Sequence, residues 1–286
     1  MCRYVAYVGE PLQLSEILYK PANGLVHQAS DAMESRTRIN ADGFGIGWYD
    51  ADATTGPAVF KDISPAWSNL NLRSLATSVS ARCVLAHVRA AQRFDPISRS
   101  NCHPFQNGRL LWMHNGDIPG RARFHRRVVA MASDDLVARL AGNTDSELAF
   151  TLFLTLLGET GTSRGSADEL ADAMTRTVQR VLGWYHGDGE DRPLAMNFCV
   201  TNGEALVALR YAHNSLEIPT LHVCRGSRFV CEDGVCRMRD GGADRCVILA
   251  SEALSEDSHW TAIDNGTLVV VRDPGTVELR ELGVRA

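Results

Sequence analysis

Cys2 directly follows the initiator methionine. Cysteine is small, so removal of Met1 is sterically permitted, and the remaining chain then carries a thiol and a free α-amine on one residue. An α-amine titrates near ~7.7–8.0 and a thiol near ~8.5, so the amine can take the thiol proton close to neutral pH. General acid–base catalysis works best with a pKa near the working pH, and cysteine is the strongest common nucleophile there. A single residue is a weak motif. Taken alone, Cys2 reads more simply as a small apolar residue opening a strand.

Other residues could complete a site. Arg89 ends the run His87-Val88-Arg89 and can offer a planar fork to a carboxylate; alone, it is an ordinary surface ion-pair arginine. Asn115 and Gly116 offer a side-chain amide and a backbone N–H, two donors suited to the oxyanion of a tetrahedral intermediate. Alone, Asn-Gly reads as a hairpin turn. Asp145 opens a helix and can hold an ammonium group, or simply suit the helix dipole. Cys102 and His103 do not form a thiol–imidazole dyad, because neighbours on a strand point to opposite faces. The glycine-rich run Asn40–Gly47 lacks the lysine and spacing of a phosphate loop and reads as a tight turn into a strand. Cys224, Cys231, Cys236 and Cys246 form no close C-x-x-C pair, so no metal site is expected. His125 with Arg126 and Arg127 reads as a solvated helix face.

Composition narrows the class. The 286 residues are 45% hydrophobic, enough for one substantial core, and the net charge of −5 gives no reason to expect nucleic acid or anionic membrane as partner. A small-molecule role fits better. The start is too short and interrupted for a signal peptide, and no apolar run has the length of a membrane span. The eight cysteines are therefore expected as reduced thiols of a cytoplasmic protein.

The elements that must position these residues follow from pattern. Strands are predicted at Arg3–Val8, Gly43–Tyr49, Ala58–Lys61, Arg82–Val88 and Arg109–His114, the last stopped by a turn at Asn115-Gly116. Helices are predicted at Ser15–Tyr19, Leu70–Val79, Phe124–Met131, Asp145–Leu157 and Ala167–Leu182. Thr144 and Glu147 match the capping-box pattern before the fourth of these, whose apolar residues nearly surround it, so it should be buried. Leu194–Thr201 and Ala205–Tyr211 flank Asn202-Gly203 as a hairpin. Short strands follow at Leu221–Cys224, Cys246–Ala250, Thr267–Arg272 and Thr276–Glu281. Strands, then helices, then strands point to two mainly antiparallel sheets with helices outside, an α+β fold. The polar stretches Gly158–Gly165 and His186–Asp191 are too short for interdomain linkers, so residues 1–286 are expected to form one domain.

Each motif is weak alone, but their order is not. Met1-Cys2, D-G-F-G at Asp42–Gly45, H-V-R at His87–Arg89, N-C-H-P-F at Asn101–Phe105, M-H-N-G at Met113–Gly116 and T-D-S-E at Thr144–Glu147 resemble a class II glutamine amidotransferase domain. The chain is most similar to the amidotransferase-like subunit of the fungal alternative glutathione-degradation complex and its bacterial relatives. I-S-P-A-W at Ile63–Trp67, N-L-N-L at Asn69–Leu72, N-F-C-V-T at Asn197–Thr201 and A-S-E-A-L at Ala250–Leu254 extend that resemblance over nearly the whole chain.

The resemblance implies a four-layer αββα N-terminal-nucleophile hydrolase sandwich. It implies Cys2 as nucleophile forming a γ-glutamyl thioester, Arg89 on the substrate α-carboxylate, Asp145 on its α-ammonium, Asn115 and the Gly116 amide as oxyanion hole, and His103 as architectural support. No cofactor is implied. Familiar members carry a synthase domain that uses the released ammonia; no such pattern follows here. Either a separate subunit takes the ammonia or the leaving group is not ammonia, which points to a γ-glutamyl peptide such as glutathione and to a peptidase or synthase subunit as partner. Three alternatives stand beside this reading: a hydrolase of the ergothioneine-pathway type, an ammonia-supplying glutaminase subunit, and a non-catalytic binding or regulatory subunit.

Overall fold

A computed structural model describes residues 2–35, 37–50, 56–92, 95–158, 165–215, 218–232, 234–241 and 245–283. Met1 and most of the stretch Gly158–Gly165, expected as a connection, lie outside the described residues. The first strand, β1 (Arg3–Gln13), shows how the layers are built. Alternate side chains of a strand face opposite sides. Tyr4, Ala6 and Val8 point into one apolar cluster, and Val5 and Tyr7 into another.

β1 lies within a seven-stranded sheet. Its other strands are β2 (Phe44–Tyr49), β3 (Ala58–Asp62), β4 (Ser80–Val88), β10 (His222–Gly226), β13 (Cys246–Ala250) and β14 (Trp260–Ala262), in the order β14-β10-β13-β1-β4-β2-β3. The second sheet runs β16 (Thr276–Glu281), β15 (Thr267–Asp273), β8 (Leu206–Arg210), β7 (Leu194–Thr201), β6 (Leu110–Asp117), β5 (Phe105–Asn107), with β9 (Ala212–His213) also paired to β7. All recorded pairings within both sheets are antiparallel.

Three apolar clusters correspond to three interfaces between four layers. Tyr4, Leu85, Leu111, Met113, Cys199 and Val269 meet between the sheets. On the outer side of the first sheet the cluster takes in α1 (Ser15–Leu18), α2 (Leu25–Ser30) and α3 (Leu70–Ser78). Outside the second, it takes in α4 (Arg121–Met131), α6 (Asp145–Gly158) and α7 (Ala167–Gly187), with the short α5 (Asp134–Val137) at the edge. This is the expected αββα sandwich. α6 is buried over most of its length, as its nearly continuous apolar surface requires.

Several local expectations are corrected. Asn115-Gly116 is no turn: both residues lie inside β6, opposite Asn197 and Met196 of β7. A side chain at 116 would place Cβ 2.1 Å from the Ala195 carbonyl oxygen, so glycine serves close packing between strands. The box at Thr144 is half formed. Glu147 N–H donates to Thr144 Oγ1 at 3.3 Å, but the Glu147 carboxylate turns back to accept from the Ala141 and Gly142 N–H groups at 2.9 and 2.8 Å. A complete box caps α7 instead, between Ser166 and Glu169, and α7 runs past Leu182 to Gly187. The expectation that every cysteine is a free thiol also fails. β11 (Arg228–Glu232) and β12 (Val235–Arg239) form an unforeseen hairpin whose register sets Cys231 opposite Cys236, and the two are joined as a disulfide.

The D-G-F-G motif gains a steric reason. A Cβ on Gly45 would lie 2.1 Å from the His103 carbonyl oxygen, so the strand and the N-C-H-P-F loop touch backbone to backbone. Gly45→Ala should lower stability by about 1–3 kcal/mol, the usual range for overpacking, measured by urea unfolding. Gly158→Ala, with nothing within 4 Å of the added carbon, is the control and should not destabilise.

Candidate active site

At one end of the inter-sheet layer, the alternation that supplies apolar residues begins to supply polar ones. In β6, Leu111 and Met113 face the other sheet, so Asn115 faces it too. In β4, Cys83 and Leu85 do so, which carries His87 and then Arg89 to the same side. In β1, Tyr4 does so, and Cys2 shares its parity. Continued one residue beyond β1 and β4, the same alternation brings Cys2 and Arg89 to the end of the gap where Asn115 of β6 lies, and the antiparallel pairing of β1 with β4, Arg3 opposite Val88, sets the first two side by side. Cys2 Sγ lies 3.6 Å from the Ala90 carbonyl oxygen.

The two sheets are pinned there by His87, whose Nε2 lies 3.2 Å from the His114 carbonyl oxygen across the gap. The turn after β4 is held by Asp42 of the D-G-F-G motif. Its N–H donates to Arg89 O at 2.9 Å, Arg89 N–H donates to Gly43 O at 2.8 Å, and its carboxylate accepts from Ala91 N–H at 2.8 Å. Arg89 is buried; Nη1 donates to Pro96 O at 3.2 Å, and Nη2 lies 3.8 Å from Asp95, which also pairs with Arg121. Asn101 joins this loop to the approach of α6: Nδ2 donates to Pro96 O at 3.0 Å and Asn143 Oδ1 at 3.1 Å, while Oδ1 accepts from Asn143 N–H at 3.2 Å.

Asp145, the first residue of α6, accepts from the Ile118 N–H at 2.8 Å, just beyond the end of β6, and from its neighbour Ser146 at 2.9 Å. Burial pushes its carboxyl up to about 6 despite those donors and Arg121. His103 stacks on His87 with ring centroids 4.1 Å apart and meets Phe105 edge-on. Asn115 is fully buried, and among the described residues neither atom of its amide has a hydrogen-bond partner. Buried polar groups are nearly always paired, so an orphaned amide at this end of the gap is poised for a ligand.

The imidazoles do not supply a base. Burial lowers His87 to about 3 and His114 to about 4, and holds His103 well below its ordinary value. All three are neutral at physiological pH and poor proton acceptors. Burial also raises the Cys2 thiol, with Arg89 and Arg3 partly offsetting it, so the resting group is a thiol that needs a proton acceptor. All six site residues read from the sequence fall in this region. The roles of His87, His114, Asn101 and Asp95 were not foreseen, because they depend on contacts that only the folded chain makes; His87, His114 and Asn101 lie inside the quoted motifs, and Asp95 carried no signal.

The profile of the class II glutamine amidotransferases matches residues 26–284, and the chain belongs to that family. It is 34% identical to the probable glutamine amidotransferase DUG3 of Saccharomyces cerevisiae, over 95% of this chain and 82% of that one. It is 29% identical to the γ-glutamyl-hercynylcysteine sulfoxide hydrolase of Mycolicibacterium smegmatis, over 97% and 98%. A protein described as a glutamine aminotransferase class-II domain protein, from Silicibacter pomeroyi, shares the fold with a TM-score of 0.67 at 24% identity, covering 98% of both chains.

The raised Asp145 carboxyl gives a test of its burial. A carboxyl raised on folding binds its proton more tightly in the native state, so the stabilisation is fully present below the ordinary value of about 4 and is lost as pH rises through about 6. Asp145→Asn should remove that slope from the stability–pH curve between about pH 4 and 6, read by urea unfolding. An unchanged slope would assign it to other groups.

Proposed function

We propose that the chain, as one domain over residues 1–286, hydrolyses γ-glutamyl amide bonds through a thioester on Cys2 after loss of Met1. The observation that carries this reading is the convergence of Cys2, Arg89 and the orphaned Asn115 amide on one end of the inter-sheet gap in a chain of the class II glutamine amidotransferase family.

In this reading the α-amine of Cys2 takes the thiol proton, the sulfur attacks the amide carbon, and the oxyanion forms against Asn115 and the Gly116 N–H. The amine returns the proton to the leaving nitrogen as the C–N bond breaks. Water, activated by the same amine, then cleaves the thioester and releases glutamate. The neutral imidazoles nearby support this choice of base, since none has the proton affinity for the task. Arg89 binds the α-carboxylate of the γ-glutamyl head and Asp145 its α-ammonium, so the scissile amide is fixed over the thiol. His103 supports this arrangement by stacking on His87.

The leaving group is proposed to be larger than ammonia. The S. cerevisiae relative is named an amidotransferase and the mycobacterial one a hydrolase of a γ-glutamyl sulfoxide; the second name supports hydrolysis with a leaving group larger than ammonia. A glutathione-like γ-glutamyl peptide is the substrate class we favour, with a cytoplasmic location and a peptidase subunit as partner; a synthase subunit is the partner only in the reading where ammonia is the leaving group.

Glutamate release from glutamine, glutathione and γ-glutamyl dipeptides tests the proposal against a Cys2→Ala control, which should be inactive and folded. Turnover confined to glutamine would indicate an ammonia donor and contradict the preferred leaving group. Arg89→Ala should lower kcat/KM on the order of 10- to 100-fold, mostly through KM, as expected when a carboxylate loses a charged donor. For the parent, KM should rise as pH falls below about 6, because protonated Asp145 no longer holds an ammonium; Asp145→Asn should abolish that dependence. A pH-independent KM in the parent would remove Asp145 from the pocket.

A further inference from the structure

The A-S-E-A-L segment at Ala250–Leu254 has no place in the chemistry above, yet it grips the first residues of the chain. β1 and β13 pair with Val5 opposite Ala250, and the pairing continues past β13. Ser251 N–H donates to Tyr4 O at 2.9 Å, and Tyr4 N–H donates to Ser251 Oγ at 3.0 Å. Arg3 and Glu252 fall opposite each other next, on the side where Val5 meets the helices. Both are almost wholly buried, at 0% and 1% exposure. Arg3 Nε donates to Glu252 Oε1 at 2.7 Å, and Arg3 Nη1 donates to the Cys2 carbonyl oxygen at 2.9 Å. Glu252 also accepts from the Met33 and Glu34 N–H groups at 2.9 and 3.0 Å, so it is anchored before it meets Arg3.

A buried ion pair is a poor means of holding two strands together, because apolar side chains of similar volume do so at least as well. What an apolar side chain cannot do is donate to the carbonyl of Cys2. Once Met1 is gone, residue 2 is tethered from one side only, and chain ends fray unless tied down. We infer that Arg3 and Glu252 are a positioning pair: Glu252 fixes the Arg3 guanidinium, and Arg3 fixes the Cys2 carbonyl, so the thiol and α-amine keep their place against Asn115. This rests on the proposed role of Cys2, and neither residue of the pair is assigned a contact with substrate.

Two variants test it. Arg3→Lys keeps a charge for Glu252 and gives up the forked second donor. Arg3→Met/Glu252→Gln removes both charges together and leaves one amide oxygen, enough for either the Met33 or the Glu34 N–H. Mass spectrometry first establishes that parent and variants have lost Met1. Glutamate release from the γ-glutamyl compound the parent turns over best then gives kcat and KM, and iodoacetamide gives the Cys2 alkylation rate against pH. Displacement of a reacting group by about 1 Å costs on the order of 100-fold. In both variants kcat should fall by about that factor with KM within roughly twofold of the parent, and the pH midpoint of alkylation should rise. Parental kcat and alkylation in both would overturn the inference, as would a loss confined to KM. Loss of the fold in both would make the pair a determinant of stability and overturn it as well. Turnover by Cys2→Ala would instead sink the nucleophile assignment, so the two failures are distinguishable.

Discussion

Two sheets in this protein meet face to face, and the apolar contact between them sets where everything else can lie. Tyr4, Leu85, Leu111, Met113 and Val269 fill that layer. Strand alternation then dictates that each strand entering the layer keeps presenting every second side chain to it, whatever its chemistry. At the end where β1 begins and β4 and β6 finish, that rule delivers a thiol, a guanidinium and a carboxamide instead of aliphatic groups. Water is largely excluded, so polar groups there must find partners or await one. His87 and Arg89 find backbone carbonyls; the Asn115 amide finds no partner among the described residues. The same packing that stabilises the fold thus creates an unsatisfied polar site.

Around this centre the loops are tied to one another more than to solvent. Asp42 pins the turn after β4, Asn101 links that turn to the entrance of α6, and Asp145 caps the passage out of β6. The proposed binders of the γ-glutamyl head are therefore fixed relative to each other before any ligand arrives. Preorganisation of this kind reduces the cost of orienting a substrate. The neutral histidines fit the same logic: stacked and dry, His87 and His103 act as rigid fillers between the sheets.

Much of the architecture could be read from periodicity. β7, β13 and β16 begin and end where alternation predicted, and the all-round apolar surface of α6 correctly marked it as buried. What failed did so for tertiary reasons. Asn115-Gly116 has strong turn chemistry, but β7 continues alongside and overrides it, and the glycine is needed for contact with Ala195. Glu147 has the spacing for a capping box, but the folded-back 141–142 segment competes for its carboxylate. The β11–β12 hairpin and its disulfide were missed because only the short run Cys236-Arg237-Met238-Arg239 alternates. At the site, the residues proposed to carry the chemistry were picked out through ordered short motifs. The Arg3–Glu252 pair was not, because its partners are 249 positions apart and only sheet register brings them together.

The central claim is that Cys2 carries the γ-glutamyl group during turnover. The most direct measurement is to quench the Met1-processed protein with acid while it turns over glutathione, then locate the acyl group by peptide mass spectrometry. The account predicts one γ-glutamyl unit in thioester linkage to Cys2, on a peptide whose first residue is that cysteine. Glutamate release with the label on another residue, or with no label on Cys2 at any quench time, would contradict it.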